Sequence, residues 1–169
     1  MLPVKLRVFL YTTLVTPILD YADVIWGHCG EMQMNNIQKA QNFAIKSIVG
    51  KKKYDSTSEA FSKLKFLNLN QRQTVHEATF TLKSLLDINP SHINLEYLKL
   101  HPANNTNSRR SSEGKLNLPP HQTSRFEQCP LYKTIKSWNS VPENIPTYNV
   151  KVFKTNFQKF IINNTYSEM

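Results

Sequence analysis

Residues 32–50 read MQMNNIQKAQNFAIKSIVG, and this stretch carries the clearest secondary-structure signal in the chain. The side chains that we expect to be buried recur every three or four residues, which is the spacing of one face of an α-helix. That face holds Met34, Ile37, Gln41, Ala44, Ile45 and Ile48. Gly50 follows at the position where helices commonly end. The pattern predicts a helix from about residue 32 to residue 49 that packs along this stripe.

Two further helices are predicted on the N-terminal side of this stretch. Residues 4–15 are rich in apolar side chains, which favours a mostly buried helix. Thr16 and Pro17 suit the N-cap and the first turn of the next helix. Gly27 is well placed to end it. Its predicted apolar stripe comprises Ile18, Tyr21, Ala22, Ile25 and Trp26.

Two capping signals follow on the C-terminal side. Ser56 and Glu59 have the spacing of a capping box for a short helix, and Asn70 with Gln73 has the same spacing for a longer one. The longer helix is predicted to bury Val75, Ala78, Leu82, Leu85 and Leu86. Residues 92–100 are predicted to form one more short helix.

The character of the sequence changes from His101. Residues 102–130 contain four prolines and many Asn and Ser side chains, which indicates a long loop or linker. Two amphipathic helices are predicted after it. The first presents Leu131, Tyr132, Ile135 and Trp138, and the second, from about Val150, presents Phe153, Phe157, Phe160 and Ile161. With no convincing strand pattern, the predicted fold class is all-α: five or six helices, a loop-rich segment and a docked C-terminal helix.

Composition restricts the classes of partner. The 169 residues carry a formal net charge of +9, which favours a polyanion, with nucleic acid first and an anionic membrane second. No apolar run reaches the length of a membrane span. The apolar run after Lys5 and Arg7 is interrupted by threonines and Pro17, so we expect an intracellular chain that is not secreted, in the nucleus or the cytoplasm.

Known catalytic and metal-binding patterns are missing from the sequence. Cys29 and Cys129 lie 100 residues apart, and neither has a partner at the spacing of a zinc site. There is no Gly-rich phosphate loop and no nucleophile elbow. The sequence therefore predicts no metal, no cofactor and no small-molecule substrate.

Separated segments of the chain share a resemblance to one family. These segments are LVTPILDYADVIWG at 14–27, NIQKAQN at 36–42 and SWNSVPENI at 137–145. Together they resemble the region that follows the polymerase core in reverse transcriptases of jockey-like, LINE-type (non-LTR) retrotransposons. The resemblance implies a thumb and post-thumb region. Together with the change in composition at His101, it predicts a helical thumb-like domain at 1–100, a linker at 101–130, and a C-terminal helical segment at 131–169 that packs back on the bundle.

The resembled family consists of RNA-directed DNA polymerases, yet no palm precedes these segments, so we expect a non-catalytic fragment of such a transposable element. Tyr21-Ala22-Asp23-Val24 differs from the aromatic-Ala-Asp-Asp turn of reverse transcriptases, because Val24 replaces the second acid. A single carboxylate cannot hold the two metal ions of that reaction. Asp23 is predicted to lie on a helix facing solvent, and neither Asp20 nor Asp23 is predicted to be catalytic.

Basic side chains are the remaining functional candidates. Two turns of helix separate Lys39 from Lys46, so these side chains share a face with Asn42. The predicted contacts to an RNA or DNA backbone are Lys39, Asn42, Lys46, Lys51, Lys52, Lys53, Arg109 and Arg110. A solvated helix face and a loop with chance arginines are the alternative interpretation.

Two further functions stay open at this stage. The chain could be a co-opted protein-interaction module that uses apolar surface once covered by the palm, near Phe9, Leu10 and Tyr11. Alternatively, it could complement a palm domain in trans.

Overall fold

The computed structural model describes residues 2–90, 115–120 and 122–166. Within these ranges the chain is mostly helical and has no β-strand, which confirms the all-α class. The helices are α1 (Val4–Leu10), α2 (Thr16–Asp20), α3 (Asp23–Trp26), α4 (Glu31–Val49), α5 (Ser58–Leu64), α6 (Leu69–Leu85), α7 (Ser124–Glu127), α8 (Pro130–Asn139) and α9 (Val150–Tyr166). The predicted helix at 92–100 and residues 101–114 of the predicted linker lie outside the described residues.

The contacts divide the chain into two units. One comprises Met1–Gln73 with Phe160–Met169, and the other comprises Thr74–Lys159. The domain borders predicted at residues 100 and 130 stay predictions, because residues 91–114 are not described. Helix α7 falls within the segment predicted to be a linker.

Helix α4 forms the centre of the first unit, as its periodicity predicts. It buries Gln41, Ile45 and Ile48 on the predicted stripe. Ala60 and Phe61 of α5 pack against these apolar side chains. Gly50 ends α4 in the left-handed conformation, with a φ of 78° that glycine adopts without steric cost.

The N-terminal segment differs from its predicted form. The backbone remains helical from Val4 to Asp20, with a π-helical turn at Tyr11–Val15 between α1 and α2. Thr16 has helical angles and does not cap a new helix, so the predicted boundary is wrong. The prediction of a mostly buried helix is also wrong, because in this segment only Tyr11 is buried.

The helix predicted through Trp26 is interrupted at Tyr21 and Ala22. Tyr21 is extended, and Ala22 adopts the left-handed conformation with a φ of 53°. The break shifts the phase of the helix, so the predicted stripe is not buried and Ile18 and Ile25 are exposed. It turns Asp23 inward instead, with 6% of its surface exposed, so the prediction that Asp23 faces solvent is wrong.

Helix α6 begins with a capping box two residues before the predicted one. The Asn68 side chain accepts a hydrogen bond from the Gln71 amide at 2.9 Å, and the Gln71 side chain accepts one from the Asn68 amide at 3.0 Å. The predicted pair of Asn70 and Gln73 is therefore wrong. Gln73 is buried instead.

Aromatic packing holds the second unit together. The Trp138 ring of α8 stacks on Phe153 of α9 with centroids 5.9 Å apart, and Phe157 lies 5.8 Å beyond Phe153. Phe153 and Phe157 are essentially inaccessible to solvent. The structure confirms the predicted amphipathic helix that carries Trp138 and the central residues of the predicted phenylalanine stripe, because Trp138, Phe153 and Phe157 are all buried. Aromatic side chains bury more apolar area than most others, so they dominate the packing of this unit.

Polar contacts add to this packing. The Asn139 side chain accepts from the Leu116 amide at 2.9 Å and donates to the Leu116 carbonyl at 2.8 Å. The Ser137 hydroxyl donates to the buried carboxylate of Glu77. These bonds satisfy polar groups that burial would otherwise leave without water.

A buried amide connects three segments of the first unit. The Gln41 amide nitrogen donates to the Tyr11 hydroxyl and to the Leu67 carbonyl, both at 3.1 Å. Its oxygen accepts from Gln38 at 2.9 Å, and the Gln38 oxygen accepts from the Leu69 amide at the start of α6. Burial raises the pKa of the Tyr11 phenol.

We expect Tyr11→Phe to lower the free energy of unfolding by about 1 kcal/mol, because it removes the acceptor for the Gln41 amide. The raised pKa gives a second signature. Folding favours the neutral phenol, so its contribution is complete below the unfolded pKa of 10.0 and is lost as pH rises through the folded pKa. Urea unfolding between neutral and alkaline pH should therefore show a shallower alkaline loss for Tyr11→Phe. The control is Tyr54→Phe, since Tyr54 is exposed; equal pH dependence of the two variants would contradict the argument.

Gly27 and Gly50 should respond differently to substitution. A Cβ at Gly27 would lie 2.5 Å from the Asp23 carbonyl oxygen and 2.5 Å from the Gln73 side-chain nitrogen, whereas a Cβ at Gly50 would meet nothing within 4 Å. Gly27→Asn should cost about 1–3 kcal/mol through overpacking. Gly50→Asn should cost less, because asparagine tolerates the left-handed conformation. Thermal unfolding of both variants tests this order, and a larger loss at Gly50 would refute it.

Candidate nucleic-acid interface

A basic depression lies on the first unit, where α4 and the loop after it enclose a volume of about 350 Å³. We call it the basic concavity. Its lining comprises Lys39, Asn42, Phe43, Lys46, Ser47, Lys51 and Lys53. Five of these seven are among the residues that the sequence predicts to contact nucleic acid. Their grouping brings residues from a helix and from a loop to one place.

Helix α4 supplies one side of the basic concavity. Lys39, Asn42 and Lys46 lie on its face away from the buried stripe, as their spacing predicts. The Asn42 side-chain oxygen accepts a hydrogen bond from Gln38 at 2.8 Å. The amide orientation of Asn42 is thus set by the same glutamine that bonds Gln41.

The loop after Gly50 supplies the other side. The Lys46 ammonium donates a hydrogen bond to the Lys53 carbonyl at 2.7 Å, which holds the loop against α4. The backbone amide of Lys52 donates to the Asp55 carboxylate at 2.8 Å. Lys52 is exposed but does not line the basic concavity, so it is the one predicted lysine of this loop that lies apart.

One acidic side chain reduces the positive charge of the loop. The Lys51 ammonium forms an ion pair with the Glu59 carboxylate, and this contact lowers the pKa of Glu59. The predicted capping box of Ser56 and Glu59 is wrong, because α5 begins one residue later, with Thr57 at the N-cap position and no side-chain cap. Glu59 is then the second residue of the helix and pairs with Lys51 instead.

Phe43 is the functional candidate that the sequence analysis missed. It lines the basic concavity between Lys39 and Lys46, with 67% of its surface exposed. An apolar side chain on the polar face of a helix has no periodic signal. The neighbouring lysines are the only sequence feature that could have drawn attention to it.

The predicted arginine contacts are not located by the structure, since Arg109 and Arg110 lie outside the described residues.

Lys53 lies near an exposed aromatic ring outside the basic concavity, because its ammonium nitrogen is 5.9 Å from the centre of the Tyr54 ring. That contact is within the range of a cation–π interaction.

Asp20 and Asp23 lie close together on either side of the break in the helix. Their carboxylate oxygens are within 4.8 Å of one another. The Arg72 guanidinium bonds both oxygens of Asp20, at 2.5 Å and 2.6 Å from one of its terminal nitrogens. This half-buried ion pair provides a structural explanation for Asp20, because a guanidinium beside a carboxylate compensates its charge.

A row of exposed apolar side chains runs along α1 and α2. We call it the apolar row: Leu2, Leu6, Leu10, Leu14 and Ile18, each between 38% and 74% exposed. In an α-helix, side chains four residues apart are rotated relative to each other by about 40° around the helix axis. The π-helical turn at Tyr11–Val15 has more residues per turn, which partly offsets this rotation along the row. Phe9 lies beside the row and is exposed, whereas Tyr11 is buried and does not belong to the surface predicted for it.

Across the described ranges, no helix combines the length and the apolar character that a membrane crossing needs. Comparison of the chain with protein-family models, with curated proteins and with solved structures gives no match.

Proposed function

We propose that the first unit binds the sugar-phosphate backbone of RNA or DNA without sequence preference, through the basic concavity. The observation that carries the proposal is the convergence of Lys39, Lys46, Lys51 and Lys53 on one depression. Ammonium groups that approach phosphates release condensed counterions, which is the main source of non-specific affinity. The formal net charge of +9 acts in the same direction over a longer range.

The four lysines should contribute unequally. Lys39 is exposed, whereas Lys51 is engaged by Glu59 and must exchange one partner for another. Lys46 donates one hydrogen bond to the Lys53 carbonyl, and an ammonium group has three donors. Lys39 and Lys46 are therefore the strongest phosphate contacts that this surface offers.

The side chains of the basic concavity favour backbone contacts over base reading. Lysine is a point charge on a flexible stem and lacks the planar fork with which arginine reads guanine. The Asn42 oxygen is engaged by Gln38. Binding should accordingly be sensitive to salt and insensitive to sequence.

The resemblance to jockey-like reverse transcriptases agrees with this activity. A thumb packs helices near the template–primer duplex, so a basic helix face is expected there. We propose that the chain corresponds to the thumb and C-terminal region of such an RNA-directed DNA polymerase, and that these residues perform no catalysis themselves. The pairing of Asp20 with Arg72 supports a structural role for that acid.

The double variant Lys39→Gln/Lys46→Gln should bind generic nucleic acid about tenfold more weakly than the parent chain. The plot of log affinity against log salt concentration should also become shallower by about one unit for each lysine removed. Fluorescence anisotropy from about 50 mM to 200 mM salt measures both quantities.

The matched control is Lys151→Gln, an exposed lysine of α9 that does not line the basic concavity. Circular dichroism confirms that each variant is folded. Equal affinity and equal salt slope for the double variant and the parent chain would refute the proposed interface.

The apolar row supports a second candidate function, which is docking onto a partner protein. Several large apolar side chains exposed along one helical segment favour a covering partner, because exposed apolar surface marks interaction sites. Helix α1 carries Lys5 and Arg7 and no acidic residue. The occupant we propose is therefore an apolar protein surface with an acidic rim, and the resemblance indicates a polymerase palm.

The double variant Leu10→Glu/Leu14→Glu should abolish binding to a purified palm domain from a jockey-like reverse transcriptase. Both side chains are exposed, so the free energy of unfolding should change little. Isothermal titration calorimetry measures the binding, and Leu86→Glu, at an exposed leucine after α6, is the control. A palm that binds the variant and the parent chain equally, or binds neither, would exclude this docking function.

A further inference from the structure

We infer that the basic concavity takes single-stranded nucleic acid, with an unpaired base stacked on the Phe43 ring. The inference rests on the proposed function and specifies the class of its ligand. Phe43 is the aromatic member of the lining, and it is flanked along α4 by two lysines of the same lining, Lys39 and Lys46.

The exposure of Phe43 permits a stacking contact. With 67% of its surface accessible, the ring is not used in the core of the unit. The core neighbours of α4 lie instead on the opposite stripe, where Ile45 and Ile48 are buried. An aromatic ring that lines a depression and is largely exposed is accessible to a planar ligand.

Phosphate binding and ring stacking together select single strands. In a duplex the faces of the bases are covered by their neighbours, so a ring at the surface can reach only sugars and phosphates. In a single strand a base can turn toward the protein while its phosphates follow the lysines. A phenyl ring has no polar atom, so stacking on it should tolerate any base.

Tyr54 provides the comparison that separates the position of Phe43 in the basic concavity from its being an exposed aromatic residue. It is also aromatic, exposed and adjacent to a lysine, because Lys53 lies over its ring. However, Tyr54 does not line the basic concavity. Its substitution therefore tests whether any exposed aromatic near a lysine suffices or whether the position within the depression decides.

The experiment compares strands and duplexes of about 12 nucleotides, a length within the range bound by one nucleic-acid-binding domain. Phe43→Ala should weaken single-strand binding about tenfold and duplex binding less than about twofold. Phe43→Leu should behave like Phe43→Ala, because an aliphatic side chain cannot stack. Tyr54→Ala should bind like the parent chain.

An abasic strand of the same length separates stacking from charge. The parent chain should bind it about tenfold more weakly than the strand with bases, and Phe43→Ala should produce no further loss. Phe43→Trp should bind single strands as tightly as the parent chain, because a tryptophan ring can also stack on a base. The fluorescence of the added tryptophan should be quenched when a strand with bases binds. Parallel RNA and DNA strands identify which sugar the surface prefers.

The outcomes distinguish this inference from the proposed function. If Phe43→Ala leaves the single-strand affinity unchanged while Lys39→Gln/Lys46→Gln lowers it, the base-stacking inference is wrong and backbone binding stands. An equal loss on duplex and strand would overturn the inference in the same way. If the lysine variant loses nothing on either ligand, the proposed function fails as well.

Discussion

The first unit depends on the buried amide of Gln41. This side chain lies in the apolar stripe of α4 with 1% of its surface exposed, yet its amide nitrogen donates to Tyr11 and Leu67 and its oxygen accepts from Gln38. It fixes the π-turn through Tyr11 and the approach to α6 through Leu67. A buried amide is favourable only when its donors and acceptor are satisfied, so these three segments must take one relative arrangement. A nonpolar residue at this position would pack but would not specify that arrangement.

The same helix explains why the candidate interface is preorganised. One face of α4 is fixed by Gln41, Ile45 and Ile48, so the opposite face holds its lysines at helical spacing without further support. The loop after α4 is directed back by the left-handed Gly50 and held by the bond from Lys46 to the Lys53 carbonyl. A charged surface built on a packed helix has less entropy to lose on binding than the same charges on a free loop.

Periodicity in the sequence was sufficient wherever one helix face is buried against its own unit. It predicted α4, α8 and the phenylalanines at the centre of α9 because the period and the burial have the same cause. It failed at Ala22, since an alanine in the left-handed conformation has no local signal. The capping rule also failed at the start of α6, where Asn68–Gln71 and Asn70–Gln73 have equal spacing and the first pair forms the box. Spacing alone does not choose between the two pairs, whereas the bond from the Leu69 amide to Gln38 holds the chain in the first frame.

The two candidate surfaces of the first unit differ in the force on which each depends. The basic concavity acts through charge that salt screens, whereas the apolar row acts through area removed from water, which salt does not weaken. Helical spacing predicted the lysines of the basic concavity, but it counted exposed leucine and isoleucine side chains as core and gave no signal for a phenylalanine on a polar face. Arg7 of α1 donates a hydrogen bond to the Ser47 carbonyl at 2.7 Å, and Ser47 lines the basic concavity. This bond joins α1, which carries part of the apolar row, to α4, which carries Lys39 and Lys46. Both surfaces therefore belong to one packed unit, and a partner that binds one of them does not have to order the other.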